Sequence, residues 1–257
     1  PSRWGADDER GSMNHQKPEA VLKATRLIRT GEVFELGRVL SSTMPLFGTR
    51  TFGLHTKRTF MNTAPNRRGS NEELVVTELG QVGTQFDGFT HQTIGDSIYN
   101  CVKVDDIATR SGFTRLGIEK VGMVFTRGVL IDVAGSQGVD VLPPHTTIGI
   151  AALQAALKKQ GTELHPGDVV LIRTGTLSLW GETGADHERI AAADSAGITV
   201  EAAKWLGEEQ GAMMLGSDTS GLEYGPPAEQ ADAYRELHGS FMPVHNYLLI
   251  RQGVHIG

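Results

Sequence analysis

The residues best suited to chemistry are concentrated in Gln81-Val82-Gly83-Thr84-Gln85-Phe86-Asp87-Gly88-Phe89-Thr90-His91. A carboxylate, two neutral amides and an imidazole so close together suit a reaction centre or a metal site. They combine oxygen and nitrogen donors with a group that titrates near neutral pH. The stretch follows Glu73-Leu74-Val75-Val76-Thr77, whose β-branched residues predict a strand. If the backbone stays extended through Asp87, alternation puts Gln81, Gly83, Gln85 and Asp87 on one face and Val82, Thr84 and Phe86 on the other. Gly83 leaves room beside the backbone, and Gly88 permits a turn that folds His91 back toward the polar face. The same pattern also fits a polar-faced strand running into an ordinary turn.

The stretch Q-V-G-T-Q-F-D-G-F-T-H resembles H-x-G-T-H-x-D-x-x-x-H, the signature of a cyclase superfamily that includes bacterial kynurenine formamidases and isatin hydrolases. Gly83, Thr84, Asp87 and His91 match it, while Gln81 and Gln85 stand where the family has metal-binding histidines. Further stretches continue the likeness in family order: residues 127–133, 166–175, 215–219 and 242–249, with Trp-Gly-x-x-Asp-x-x-Gly-x-x-Asn opening the chain from Trp4. Thr43-Met44-Pro45 lies where the family has an entry loop. The resemblance implies a swivelling β/β/α-type fold assembled as a homodimer or homotetramer. It also implies Asp87 as a metal-bridging carboxylate, His91 as the catalytic acid/base and His245 as a further metal ligand. A family glutamate would follow His245 by roughly a dozen residues, about where the sequence reaches Gly257.

The elements that must position these groups alternate in the second half of the chain. Residues 123–125, 129–133, 169–175 and 213–218 read as apolar strands, and 147–160 and 200–209 as helices. Residues 247–250 form an apolar run of undefined type. Earlier, Lys17-Pro18-Glu19 opens a helix carrying Val21, Leu22, Ala24, Leu27 and Ile28, Val33–Leu36 and Val39-Leu40 read as strand material, and 105–111 as a short helix. Residues 48–72 form a basic excursion, with a hairpin through 55–61. Without repeats or a linker, residues 1–257 read as one domain of mixed α/β character, with an N-terminal arm over about 1–16.

Composition narrows the function class. A net charge of −6 argues against nucleic acid or an anionic membrane as partner. No apolar run approaches the roughly 18 residues of a membrane span, no signal peptide opens the chain, and the single Cys101 requires no oxidising compartment. A cytoplasmic protein acting on a small molecule is the expectation. Phe60, Phe89, Trp180 and Tyr224 could line an aromatic pocket or belong to the core. Asp218-Thr219-Ser220 could line it too, or cap a turn, and Tyr99-Asn100 could lie near the site. His245 reads either as a site residue or as a core histidine. His15, His55, His145, His165, His187, His238 and His255 have no partner spacing.

A metal held by Asp87, His245, Gln85 and Gln81 would polarise a carbonyl and activate water. Histidine and carboxylate suit zinc or manganese; amide oxygens in place of two imidazoles shift the preference toward manganese or magnesium, or remove the site. The expected activity is hydrolysis of a small cyclic amide, lactone or N-formyl group by His91 and Asp87, as in an arylformamidase. A metal-independent lyase or cyclase, and an inactive family member that binds a small ligand, remain as alternatives.

Overall fold

The computed structural model describes residues 2–61, 65, 67–181, 185–192 and 194–257, with the side chains of Phe60 and Met61 outside the description. The chain folds as a mixed α/β domain around a four-stranded parallel sheet. Its strand order is His255–Ile256, Met214–Ser217, Val169–Arg173 and Gly128–Asp132. Apolar β-branched residues make these strands, and alternation sorts their faces. Val129, Ile131, Val170, Ile172 and Leu215 enter the core, while Leu130 and its cross-strand partner Leu171 turn to the opposite face. Ile150–Gln160 covers the core side with Leu153, Ala156 and Leu157 at helical spacing, and Gly161 ends it in a left-handed cap. Val200–Lys204, widening into a π-helical turn over Trp205–Glu209, and Asn246–Gln252, π-helical throughout, complete that layer with Leu206, Leu248 and Leu249. Each fully buried leucine or isoleucine contributes about 1.5–3 kcal/mol.

The stretches that resemble family blocks fasten neighbouring strands. Arg127 grips the buried Asp168 with Nε and Nη2 (2.9 and 2.5 Å), so the turn before one strand is tied to the start of its neighbour. Arg173 reaches Asp132 at 2.7 Å. Asp218 accepts the backbone N–H groups of Thr174 and Gly175 and the Thr174 hydroxyl. Gly175 has φ +87°, and a Cβ there would run into the Asp140 carbonyl.

The opening Trp4–Asn14 motif is a strap, with Asp8 as its hub. Asp8 accepts hydrogen bonds from Gly11 N–H, the Asn14 amide and the Tyr99 hydroxyl. Asn100 donates to the carbonyls of Gly5, Ala6 and Asp8. Tyr99 and Asn100 therefore hold the arm and do not form part of a reaction centre.

Several local expectations fail for definable reasons. Residues 123–125 form no strand, because the Gln16 side chain takes the Met123 carbonyl and the Phe125 N–H (2.6 and 2.5 Å) that a neighbouring strand would need. Residues 31–40 are also irregular, with Val33, Phe34, Leu36 and Val39 exposed and no strand edge beside them. The 105–111 helix is a turn, Val104–Ile107, followed by a two-residue strand pairing. Phe52–Met61 and Gly69–Thr77 form the antiparallel hairpin, longer than its sequence signal. No helix among the described residues is long and apolar enough to cross a membrane.

Candidate active site

The extended backbone expected to carry Gln81 to Asp87 stops at Thr77. Beyond it the chain is irregular, with Gln81 and Gly83 both near φ +64°. A loop thus does what strand alternation was expected to do. A Cβ at 83 would also displace the tip of the Leu40 side chain, but the positive φ is what calls for glycine there.

Asp87 is fixed by the end of the central sheet. Its N–H donates to the Ile256 carbonyl at 2.7 Å, and its own carbonyl lies 3.1 Å from His255 Nδ1. The His255 ring is buried, stacks on Phe89 at 4.0 Å and touches Phe86 at 4.8 Å. Burial pushes the His255 pKa down to about 4, so the ring is neutral. Phe89 is consequently part of a core stack with Tyr99 and His255, 1% exposed, and is not a substrate contact.

The Asp87 carboxylate is 3% exposed and has two unlike oxygens. Oδ1 accepts from the Gln81 amide at 2.7 Å. Oδ2 is buried without a hydrogen-bond partner. Two imidazole nitrogens face it: His245 Nε2 at 3.6 Å and His91 Nε2 at 3.9 Å. The structure therefore brings Gln81, Asp87, His91 and His245 together. Gln85 is close by, but its side-chain oxygen is turned back to accept the Gln81 backbone N–H.

His245 is held from behind by a residue that the sequence did not reveal. Glu223, itself 5% exposed, lies 2.5 Å from His245 Nδ1 and also accepts the backbone N–H groups of His245 and Val244 (3.1 and 3.2 Å). This fixes the proton on Nδ1 and aims Nε2 at Asp87. Burial would lower the His245 pKa, but the facing carboxylates of Asp87 and Glu223 outweigh it and raise it to about 9. His91 moves the other way. Burial lowers its pKa, Asp87 opposes that, and His245 and Arg50 reinforce it. The amides of Gln81 and Gln92 both lie 3.2 Å from its Nε2, an arrangement suited to Nε2 as acceptor.

A cavity of about 500 Å³ opens at Asp87, which lines it, whereas His91 and His245 are not among the lining residues. Gln81, Gln85, Trp180 and Asp218 are on that wall, over a floor that includes Leu130 and Leu171. Asp218 uses both carboxylate oxygens on Thr174 and Gly175, so it shapes the wall and offers no free acceptor pair. Tyr224 packs edge-on against Tyr234 and is not on the wall. The Phe60 side chain lies outside the described residues.

Asp87, His91 and His245 each present one ligand atom, all within 4.8 Å of one another. With the unpartnered Asp87 Oδ2 at the centre, this trio fits a divalent cation. Gln81 and Gln85 do not join it in this arrangement. One presents N–H donors, and the other has its oxygen engaged.

A sequence model of the family described as "Putative cyclase" matches residues 34–224, and the chain belongs to that family. The crystal structure of a novel cyclase superposes with a TM-score of 0.84 at 32% identity, covering 100% of this chain and 84% of that one. Isatin hydrolase A from Labrenzia aggregata, bound to benzyl benzoate, matches with TM-score 0.58 at 20% identity over 88% of this chain and 78% of its own. Isatin hydrolase A from Ralstonia solanacearum gives TM-score 0.55 at 20% identity, covering 88% and 77%. With these two the chain shares the fold. No curated protein matches the sequence.

Proposed function

We propose that this chain is a hydrolase that opens a small amide, lactam, lactone or N-formyl bond, with His91 as the acid/base. The observation that carries the reading is the buried, unpartnered Asp87 Oδ2 with His91 Nε2 at 3.9 Å and His245 Nε2 at 3.6 Å. The fold shared with two isatin hydrolases supports the reaction class. With its pKa lowered, His91 is neutral at pH 7 and accepts a proton from water at Nε2. The resulting hydroxide adds to the carbonyl carbon. As the C–N or C–O bond breaks, the imidazolium returns its proton to the leaving atom. Asp87 stabilises that imidazolium in the interval. Asp87 and His245 would hold a divalent ion, leaving His91 Nε2 free to carry the proton; when bound, the ion supplies carbonyl polarisation and a lower pKa for water.

One observation favours a second reading, a metal-independent lyase or cyclase: the Gln81 amide directs donors at Asp87 Oδ1 and His91 Nε2, where metal chemistry wants lone pairs. Turnover of N-formyl aromatic amines, isatin-like lactams and small lactones in ¹⁸O-water separates the two. Label in the product carboxylate supports hydrolysis; turnover without label would overturn it. The apolar residues exposed over 33–40 and at Leu79 (99%) support action as a homodimer or homotetramer, which sedimentation checks directly.

A further inference from the structure

The cavity has room for more than the bond that is cut. Its 500 Å³ equals roughly 17 water molecules at about 30 Å³ each, and lies within the roughly 300–1,000 Å³ range of sites for drug-sized ligands. Most of its wall is apolar, built from Leu36, Phe47, Leu171, Leu177, Trp180 and Ile190. The hydroxyls on the wall are engaged within the protein. Thr176 pairs with Thr174, Ser178 with the Gly175 carbonyl, Ser217 with Thr219, and Ser220 with Ser195.

Apart from Asp87, whose Oδ2 faces the histidines without a hydrogen-bond partner, the charges on the wall are engaged too, with one exception. Arg173 is bound to Asp132 and the Asp140 carbonyl, and Asp218 to Thr174 and Gly175. Arg38 differs. Its backbone N–H is fixed to Thr84 Oγ1 at 2.9 Å, three residues before Asp87, and Nη2 donates once, to the Leu177 carbonyl at 3.1 Å. No carboxylate among the described residues pairs with its guanidinium. A planar fork with free N–H groups at the edge of an apolar chamber selects a carboxylate or a similar anion.

We infer that the substrate is an apolar body, larger than one ring, that carries a single anionic group held by Arg38, with its scissile bond at Asp87. The inference rests on the hydrolase reading for the position of the scissile bond, but its test reads binding alone. Calorimetry would compare 4-phenylbutanoate, its neutral amide 4-phenylbutanamide, and acetate on wild type, Arg38→Gln and Arg38→Lys. The acid is expected to bind at least tenfold more tightly than the amide, and acetate to show no heat at the same concentrations. Arg38→Gln should abolish the preference for the acid while leaving the amide unchanged, and Arg38→Lys should keep most of it. Equal affinity for acid and amide, a preference that survives in Arg38→Gln, or no binding by any of the three would overturn the inference. Failure of every amide and ester to turn over would instead count against the hydrolase reading and leave the binding comparison intact.

Discussion

Glu223→Gln tests whether the geometry of the site depends on the carboxylate behind His245. Three N–H groups converge on Glu223, at 2.5, 3.1 and 3.2 Å. Glutamine keeps the shape but supplies one acceptor oxygen, so at least one buried donor meets an NH₂. Losing a hydrogen bond to a charged group costs about 1.5–3 kcal/mol. At about 2–4 °C per kcal/mol for a chain near this size, the melting midpoint should fall by about 3–12 °C. His245 adds a pH signature. Its pKa is raised from 6.5 to about 9, so its contribution to stability is fully present below pH 6.5 and is lost as pH rises through 9. That contribution is about 3 kcal/mol in wild type and should shrink in the variant, giving a flatter profile between pH 6.5 and 9. Denaturant unfolding in the presence of chelator across that range measures both effects. Manganese titration supplies an independent readout, since removing such a supporting residue typically weakens a metal site 10–100-fold. An unchanged midpoint, pH slope and manganese affinity would refute the assignment of Glu223.

Protein purified without added metal should retain little zinc, and Gln81→His with Gln85→His should raise divalent affinity in a calorimetric titration. Stoichiometric zinc surviving dialysis against chelator would contradict this ligand argument. His255, with its pKa lowered to about 4, stabilises the fold fully above pH 6.5 and less as pH falls toward 4, by about 3 kcal/mol in all; His255→Phe should flatten that acid limb in unfolding experiments. Asp168→Ala removes the buried acceptor of the partly exposed Arg127 and should cost about 1.5–3 kcal/mol, read as a shift in denaturant midpoint with the slope unchanged.

The central strands were legible because Gly128–Asp132 and Val169–Arg173 are short apolar β-branched runs whose partners lie in the same sheet. The site was legible in composition but not in conformation. Asp87, His91 and His245 meet as their motifs imply, yet the Gln81–Asp87 alternation has no strand beneath it. Two positive φ angles and the bridge from Asp87 to Ile256 do that work instead. Glu223 escaped notice because its contact with His245 spans 22 residues and leaves no periodic trace. Its only signal was a lone acid beside the apolar Leu222 and Tyr224. His255 had no partner spacing for a similar reason: it binds Asp87 through a backbone carbonyl, which carries no residue identity. Arg38 lies between two runs that read as strand material; its neighbours turn out irregular, and its role depends on a wall assembled from distant loops.

The most direct test of the account is kcat for His91→Ala on whichever amide, lactam or lactone turns over. His91 is partly exposed at the cluster's edge, so the fold and melting midpoint should stay close to wild type. General acid/base help is worth about 10²–10⁴ in rate, and kcat should fall by that factor. His91→Gln, which keeps a hydrogen-bonding group but carries no proton, should be nearly as slow. Full activity in His91→Ala would make His91 structural and contradict the mechanism.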